Sequence, residues 1–374
     1  MTVLAGARVV TPDAVLDPGW VAVEGTRIAA VGAGAPPAAA ADLGGAWVLP
    51  GFVDLHVHGG GGHDVTTSPR DLAAAVAFHR AHGTTRTLVS LVTAPEAELR
   101  EQLTWVAAAA AAGPHGAGHV VGAHLEGPFL AAERCGAQNP AHLLAPDRAV
   151  LARLLGAAPG TVRVVTLAPE LPGAADLLAD LLVAGVAVAV GHTASGYDDA
   201  AAAFESGAGL ATHLGNGMPP LQAREPGPVG AALDRGAYAE VINDGQHVHR
   251  GLLRLVRPDR LVLITDAMSA AGAAGGSYTL GGQEVTVAGG VARLARNGSL
   301  AGSTLTMDDA VRRAVRDAGL SIVDVAAAAA TNPARVLGMA DTCGALAAGL
   351  DADLVVLDDD LRLARVMAQG QWCG

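Results

Sequence analysis

The chain has 374 residues, of which 51% are hydrophobic and only 3% aromatic, and its formal net charge is −12. This length and hydrophobicity exclude a disordered or fibrous protein and allow one large domain with a smaller companion. The excess of acidic over basic side chains argues against binding to nucleic acid or to an acidic membrane surface, so an anionic ligand would need a local cationic pocket.

The cysteines and the apolar segments indicate the cellular compartment. Cys135, Cys343 and Cys373 show no paired spacing, which favours a reducing compartment. The N-terminal residues lack a basic region followed by a long apolar stretch, and the longest apolar run, 181–190, is too short to cross a bilayer. We therefore expect a cytoplasmic protein with no membrane span.

The two ends of the chain predict a small β domain. Residues 1–49 alternate short β-prone segments with turns, at 7–10, 20–24 and 27–31, and residues 353–357 form a similar segment near the C-terminus. We predict that residues 1–49 and 341–374 pair as a small β-sandwich domain.

Between these ends the chain alternates strand-like and helix-like segments. Eight aliphatic segments are predicted strands: 51–57, 85–92, 119–125, 162–168, 186–191, 209–213, 239–243 and 261–265. Most are separated by segments with helical spacing: 71–82, 95–112, 147–155 and 174–184. This pattern is typical of βα units, so residues 50–340 are predicted to form a (β/α)8 TIM-like barrel. Residues 277–296, with two Gly-Gly turns, predict a β-hairpin inserted after the last strand.

Two histidines end the first predicted barrel strand. Residues two apart on a strand face the same side, so His56 and His58 can present both imidazoles to one ion. A pair of histidines in a polar loop before the glycine run at 59–62 is the alternative interpretation.

Three further residues of metal-binding type follow aliphatic segments, namely Glu126, His192 and His213. Taken singly, such a Glu is usually a solvated surface residue, and such a His is usually hydrogen-bonded in a core. The ends of parallel barrel strands meet on one rim. Together the three residues therefore predict a shell of two histidines and one carboxylate that leaves room for water.

Asp266 directly follows the eighth predicted strand. A lone aspartate in this context is usually a helix cap or a turn residue. At the barrel rim, however, a carboxylate beside a metal site can accept a proton from water and pass one to a leaving amine. We therefore predict that Asp266 is catalytic.

The ordered set of motifs resembles the N-acetylglucosamine-6-phosphate deacetylase family of the amidohydrolase superfamily, over nearly the whole chain. The motifs are His56-x-His58, His124-Leu-Glu126-Gly-Pro-Phe, Gly191-His192-Thr-Ala-Ser, Thr212-His213-Leu-Gly-Asn216-Gly-Met-Pro-Pro, Arg224-Glu-Pro-Gly, Thr265-Asp266-Ala-Met and Leu300-Ala-Gly-Ser-Thr304. The resemblance implies hydrolysis of the acetamido group of an N-acetylated amino-sugar 6-phosphate, in amino-sugar catabolism and cell-wall sugar recycling.

The resemblance also implies a metal centre. Glu126, His192 and His213 would hold the principal metal, and His56 with His58 would add a second position next to it. Because both imidazoles are present, we expect capacity for two ions with Glu126 bridging them, and one or two ions bound per subunit. Zinc is the first expectation and iron the second, because His and carboxylate ligands accept either.

The substrate contacts implied by the resemblance include Arg224 and His247, for the sugar phosphate or its carbonyl, and hydrogen bonds from Asn216 and Gly217. An Arg can bind phosphate through two hydrogen bonds. The alternatives are a surface salt bridge between Arg224 and Glu225 and a loop role for the histidine. Because part of the family's phosphate pocket can come across a subunit interface, we expect a homodimer.

One segment departs from the family pattern. Where many relatives have a sugar-binding histidine, this chain has Gln138, which can hydrogen-bond a hydroxyl group but cannot carry a positive charge. We expect a sugar contact here with altered affinity or preference. Cys135 in the same segment could be a reactive thiol near the substrate or a small packed side chain, and we favour the second.

Two rival functions remain. The first is another barrel amidohydrolase that acts on a cyclic amide, a nucleobase or an unphosphorylated N-acetyl compound. Such relatives often bridge their metals with a modified lysine, and none of the predicted strands ends in Lys. The second is a non-catalytic metal-binding protein, against which Asp266 argues because metal storage needs no proton shuttle.

Overall fold

A computed structural model describes residues 1–113 and 119–373 of the chain. Its central feature is a sheet of eight parallel strands, each hydrogen-bonded to the next in chain order. The strands are Phe52–Val57, Thr84–Val92, His119–Glu126, Val162–Leu167, Ala187–Val190, Leu210–Ala211, Tyr238–Ile242 and Leu261–Ile264. Each overlaps a predicted strand.

The first and eighth barrel strands close the sheet into a barrel. The backbone N–H of Asp266 donates to the carbonyl of His56 at 2.8 Å, and the N–H of His58 donates to the carbonyl of Ala267 at 2.8 Å. Deeper in the barrel, the hydroxyl of Thr265 donates to Asp54 at 2.6 Å. The predicted barrel is therefore confirmed, and its closure places the ends of these two strands side by side.

Helices surround the barrel. They are Pro69–Ala81, Glu96–Ala111, Arg148–Ala157, Ala174–Val183, Tyr197–Glu205, Gly227–Arg235, Arg250–Leu253 and Met307–Arg316, followed by Ile322–Ala326 and Asn332–Val336 on either side of a π-helical turn. Their ends follow capping rules: Asp147, for example, accepts hydrogen bonds from the N–H groups of Ala149 and Val150. No helix of the described residues is long and apolar enough to span a bilayer.

The interior is aliphatic, as the low aromatic content requires. One buried cluster combines residues of several barrel strands, including Leu88, Val164 and Ile242, with Ala310 and Ala334 of the C-terminal helices. A larger cluster lies between the strands and the helices. Small and medium side chains allow the close helix-to-strand packing that gives protein interiors their density.

Both chain ends form a separate eight-stranded sheet. Its strands are Thr2–Val10, Val15–Glu24, Arg27–Ala33, Ala41–Asp42, Trp47–Pro50, Leu354–Leu357, Leu363–Ala368 and Gln371–Cys373. Leu354–Leu357 pairs antiparallel with Trp47–Pro50 and so joins the two ends. The expected β domain of both ends is thus present, while its boundaries at 49 and 341 stay predictions and Gly374 lies outside the described residues.

The inserted segment contains three strands where the sequence predicted two. Gly276–Leu280, Gln283–Ala288 and Val291–Leu294 form an antiparallel sheet. Each connection is a Gly-Gly pair in which both residues have positive φ, between 54° and 78°, as two-residue hairpin turns of the I′ type require. Each Gly-Gly pair therefore makes its own turn, which is why a third strand follows the hairpin.

A buried ion cluster joins the barrel to the terminal sheet. Arg86, on the second barrel strand, is only 2% exposed and pairs with Asp353 at 3.0 Å and also with Asp351. Asp351 in turn pairs with Arg27 of the terminal sheet at 3.1 Å. Breaking a buried pair from one side is costly because it leaves an uncompensated charge.

Replacing Arg86 with Met should therefore lower the free energy of unfolding by about 3–5 kcal/mol, as measured by urea denaturation. Arg148→Met is the matched control: Arg148 is 66% exposed and pairs with Asp180 at the surface, where solvent screens the pair, so its loss should change the free energy of unfolding far less. Equal effects of the two substitutions would contradict a structural role for the buried cluster.

Candidate active site

The barrel rim collects the six residues predicted to bind metal or move protons. His56 and His58 lie at the end of the first strand and Glu126 ends the third. The other three lie two residues beyond the ends of the fifth, sixth and eighth strands: His192, His213 and Asp266. All six are buried, with exposed fractions between 0% and 7%. Since the strands are parallel in a closed barrel, residues up to 210 positions apart converge on one point.

One group of donors consists of Glu126, His192 and His213. Oε1 of Glu126 lies 3.0 Å from Nε2 of His192 and 3.1 Å from Nε2 of His213. The two imidazole nitrogens are 3.1 Å apart. The three atoms form a nearly equilateral triangle, which leaves one side open for a further ligand.

A second group consists of His56, His58 and Asp266. The Nε2 atoms of the two histidines are 3.0 Å apart, and Oδ1 of Asp266 lies 3.6 Å from the first and 3.3 Å from the second. Glu126 stands between the groups, because its Oε2 is also 3.3 Å from Nε2 of His58. One carboxylate can therefore serve both positions.

These separations fit a divalent metal. Donors about 2.0–2.1 Å from a tetrahedral ion lie roughly 3.3 Å from one another, close to the distances in both groups. Three protein donors with a fourth position open are typical of catalytic rather than structural zinc sites. The chain contains no lysine, so no modified lysine could bridge two ions, and Glu126 is the carboxylate whose two oxygens face both groups.

Neighbouring groups orient the imidazoles toward the centre. Nδ1 of His192 donates to the carbonyl of Arg134 at 2.8 Å, and Nδ1 of His58 donates to the carbonyl of Ser90 at 3.1 Å. Nδ1 of His56 faces the carboxylate of Glu240 at 3.3 Å. A proton held on Nδ1 leaves the Nε2 lone pair available to a metal.

Three of the six residues have strained backbones. His192, His213 and Asp266 have φ values of 46°, 28° and 48°, a region in which a side chain costs on the order of 1–3 kcal/mol. Flanking backbone bonds hold these conformations; for example, the N–H of Ser303 donates to the carbonyl of Asp266 at 2.7 Å. The strain turns each side chain from the strand end toward the barrel axis.

The charges of the site are strongly coupled. Burial raises the pKa of Glu126, but the nearby His56 and hydrogen bonds from His192 and His213 outweigh it and hold the pKa well below its usual value. Burial likewise lowers the pKa of His58, but hydrogen bonds with Asp266 and Glu126 raise it to about 9. The carboxylates are therefore ionised at neutral pH, and a cation that binds must displace protons from the histidines.

Comparison with known proteins agrees with this geometry. The amidohydrolase family model matches residues 47–373. A crystal structure of N-acetyl-D-glucosamine-6-phosphate deacetylase from Mycobacterium smegmatis superposes with a TM-score of 0.94 at 45% identity, covering 100% of both chains. The human N-acetylglucosamine-6-phosphate deacetylase is 38% identical over 345 residues, covering 88% of this chain and 84% of the human one.

The chain belongs to the amidohydrolase family. Among its relatives is also an N-acetylgalactosamine-6-phosphate deacetylase from Escherichia coli O157:H7, which is 41% identical over 329 residues and covers 87% of both chains. The fold and the recognised family are therefore those that the motifs predicted.

A cavity of about 630 Å³ opens above the donor groups of this amidohydrolase. Four of the predicted substrate-binding residues line it: Gln138, Asn216, Gly217 and His247. Arg224 is exposed and is absent from the lining. Cys135 lines the cavity but is 8% exposed, which suits the packed role that we favoured for it.

Gln138 has a different set of contacts from the one that we expected. Its Nε2 donates to Oε2 of Glu126 at 2.5 Å, and its Oε1 accepts from the N–H of Thr93 at 2.7 Å. Both ends of the amide are thus bonded within the protein. Gln138 therefore positions the carboxylate of Glu126 in this structure, and its predicted contact with sugar stays a prediction.

Three residues at the site escaped the sequence analysis. Arg134 and Arg296 line the cavity, and Glu240 is buried beside the histidines. Glu240 had a detectable signal, because a charged residue inside the aliphatic segment Tyr238–Ile242 is unusual for a buried strand. Nothing in the local sequence marks the two arginines, which reach the cavity through loop conformations.

We predict that Glu126→Gln will weaken the binding of divalent metal by ~100-fold or more, because it removes the one charge that both donor groups share. Metal content after dialysis, measured by elemental analysis, tests this. Glu133→Gln serves as the control, since Glu133 lines the same cavity but is exposed. Similar metal content in the wild type and Glu126→Gln would refute the shared-ligand role.

Proposed function

We propose that this protein hydrolyses the acetamido group of N-acetyl-D-glucosamine 6-phosphate, releasing acetate and D-glucosamine 6-phosphate. The observation that carries the proposal is the pair of donor groups joined by Glu126 at the floor of a cavity that can hold a sugar phosphate. The deacetylases named above support it through identities of 38–45% over most of the chain. A mutant of the M. smegmatis enzyme, with aspartate replaced by alanine, is described in complex with this same sugar phosphate.

The metal would be held by Glu126, His192 and His213, with His56 and His58 at a second position. When bound, a divalent cation activates water and polarises the acetyl carbonyl. Zinc is our first choice and iron the second, because shells of histidine and carboxylate accept both. We propose one or two ions per subunit.

Asp266 would move the protons. It lies at the cavity wall, and hydrogen bonding and charge from His56 and His58 outweigh burial and lower its pKa, so the carboxylate is ready to accept a proton from water. Amide hydrolysis stalls if nitrogen leaves as an anion. The proton that Asp266 returns to nitrogen therefore allows the carbon–nitrogen bond to break.

The phosphate would be recognised by local cations and hydrogen-bond donors. Arg134, Arg296 and His247 line the cavity beside Asn216 and Gly217. In a chain with a net charge of −12, such a group concentrates the positive potential that an anionic substrate needs.

Arg224 fits the same role only if it reaches the cavity of a second subunit, because in its own chain it lies outside the lining. We therefore propose a homodimer. We also propose that the protein is cytoplasmic and acts in amino-sugar catabolism and cell-wall sugar recycling. Its proposed partners are the sugar phosphate and a second subunit, and they include neither nucleic acid nor a membrane.

N-Acetyl-D-galactosamine 6-phosphate is a second candidate substrate. The 41% identity to a deacetylase of that sugar is comparable with the identity to the deacetylases of the glucosamine epimer. The rival substrates considered from the sequence, a cyclic amide or an unphosphorylated N-acetyl compound, are not favoured by these relatives.

Acetate release from both epimeric sugar phosphates tests the proposal. We expect turnover that is abolished by chelation and restored by added zinc or iron. Asp266→Asn should lower kcat by ~100-fold or more, because general acid–base catalysis contributes on that order. The wild type and the variant should be compared at equal metal content. Full activity of the metal-stripped enzyme, or of Asp266→Asn, would contradict the mechanism.

Phosphate recognition has its own test. We expect Arg296→Gln to lower kcat/KM for the phosphorylated sugar by ~10-fold or more, about the worth of one charge-assisted contact, and to leave the unphosphorylated sugar unaffected. Arg293→Gln is the matched control, since Arg293 lies in the same insertion, is exposed and does not line the cavity. An equal loss with both sugars would assign Arg296 a structural role instead.

A further inference from the structure

We propose that Glu240 is a positioning residue that holds one histidine from each donor group and thereby couples the two metal positions. The proposal rests on the metal centre of the proposed function and goes beyond it. The seventh barrel strand contributes no residue to either donor group, yet it carries a carboxylate that is only 1% exposed. A buried carboxylate needs partners, and those of Glu240 belong to the metal centre.

One oxygen of Glu240 makes both contacts. Oε2 lies 3.3 Å from Nδ1 of His56 and 3.3 Å from the backbone nitrogen of His213. His56 belongs to the group with His58 and Asp266, and His213 belongs to the group with Glu126 and His192. A displacement of this single side chain would therefore reach both groups.

At His56 the contact sets the orientation of the ring. An imidazole that donates its Nδ1 proton to an acceptor oxygen keeps the Nε2 lone pair free, and the hydrogen bond fixes the orientation of the ring. The ring of His56 is fully buried, and its neighbour His124 contacts it edge to face with centroids 4.6 Å apart. No other acceptor for Nδ1 of His56 occurs among the described residues, so Glu240 specifies the tautomer that a metal requires.

At His213 the contact supports the backbone. With φ at 28°, the residue adopts a conformation that side chains disfavour, and its N–H points inward to the carboxylate. The carbonyl of Glu240 also accepts from the N–H of Leu214 at 2.7 Å. Nδ1 of His213 has no hydrogen-bond partner in the part of the chain described. Apart from the contacts of its Nε2 with Glu126 and His192, the direction of this imidazole is set by its backbone, to which Glu240 is bonded.

Three substitutions of Glu240 distinguish the effect of its hydrogen-bond contacts from the effect of its negative charge. Glu240→Leu removes the acceptor, Glu240→Gln keeps an acceptor oxygen at the same reach without charge, and Glu240→Asp keeps the charge but withdraws it by one methylene. Co²⁺ would be titrated into the metal-free full-length enzyme against a competing chelator. Visible absorption would report the coordination of the ion, and no sugar is needed.

We expect Gln to retain Co²⁺ affinity within ~3-fold, whereas Asp and Leu lose ~10–100-fold at both positions and change the visible spectrum. Asp308→Asn is the matched control. It removes a carboxylate that pairs with Nδ1 of His82 at 3.2 Å, a similar contact outside the donor groups, and should leave the titration unchanged.

Wild-type affinity and spectra in all three variants would overturn the proposal, and so would an Asp variant that binds Co²⁺ more tightly than the Gln variant. If the Leu variant does not fold, as judged by circular dichroism, the comparison of Gln with Asp still decides. Since the titration contains no substrate, an enzyme that binds Co²⁺ as expected but releases no acetate would refute the proposed function alone.

Discussion

The structure of this amidohydrolase depends on one buried carboxylate placed among imidazoles. Glu126 lies within 3.0–3.5 Å of Nε2 atoms from four histidines on three other strands. Removing that negative charge would leave several buried imidazoles next to one another without a carboxylate to balance their charge, which is unfavourable where water is scarce. Its surroundings hold it in place: Gln138 donates to one oxygen, and the third barrel strand ends at the residue itself. The same carboxylate therefore both holds the histidines together at the barrel rim and provides the negative charge that a metal ion would need.

Closure of the barrel brings the charged side chains together. The seam between the first and eighth strands places Oδ1 of Asp266 3.6 Å from His56 and 3.3 Å from His58, although more than 200 residues separate the aspartate from the two histidines. Positive φ values at His192, His213 and Asp266 then direct the side chains inward. Strain of this kind persists only where surrounding bonds over-determine the backbone, and Glu240 supplies one such bond by accepting from the N–H of His213.

An acidic protein can bind an anion if its basic side chains are concentrated at one site, whatever the total charge of the chain. The chain has 24 basic residues, all of them arginine, against 36 acidic ones. Arg134, from the 3-10 turn Ala132–Arg134, and Arg296, which follows the strand Val291–Leu294, line the cavity, and Arg296 donates to the carbonyl of Gly136. The three-stranded insertion thus closes one wall of the cavity and supplies one of its cations.

The sequence by itself determined the barrel, the β domain built from both ends and the candidate metal ligands at the strand ends. It could do so because strand periodicity and the position of a polar residue at the end of an aliphatic run are local properties. Only the tertiary structure decided which candidate ligands lie together, that Gln138 faces Glu126, that Glu240 contacts a histidine of each group and that Arg224 lies outside the cavity lining of its own chain. Those outcomes depend on distances between strands and on loop paths, which long-range packing sets and no local pattern records.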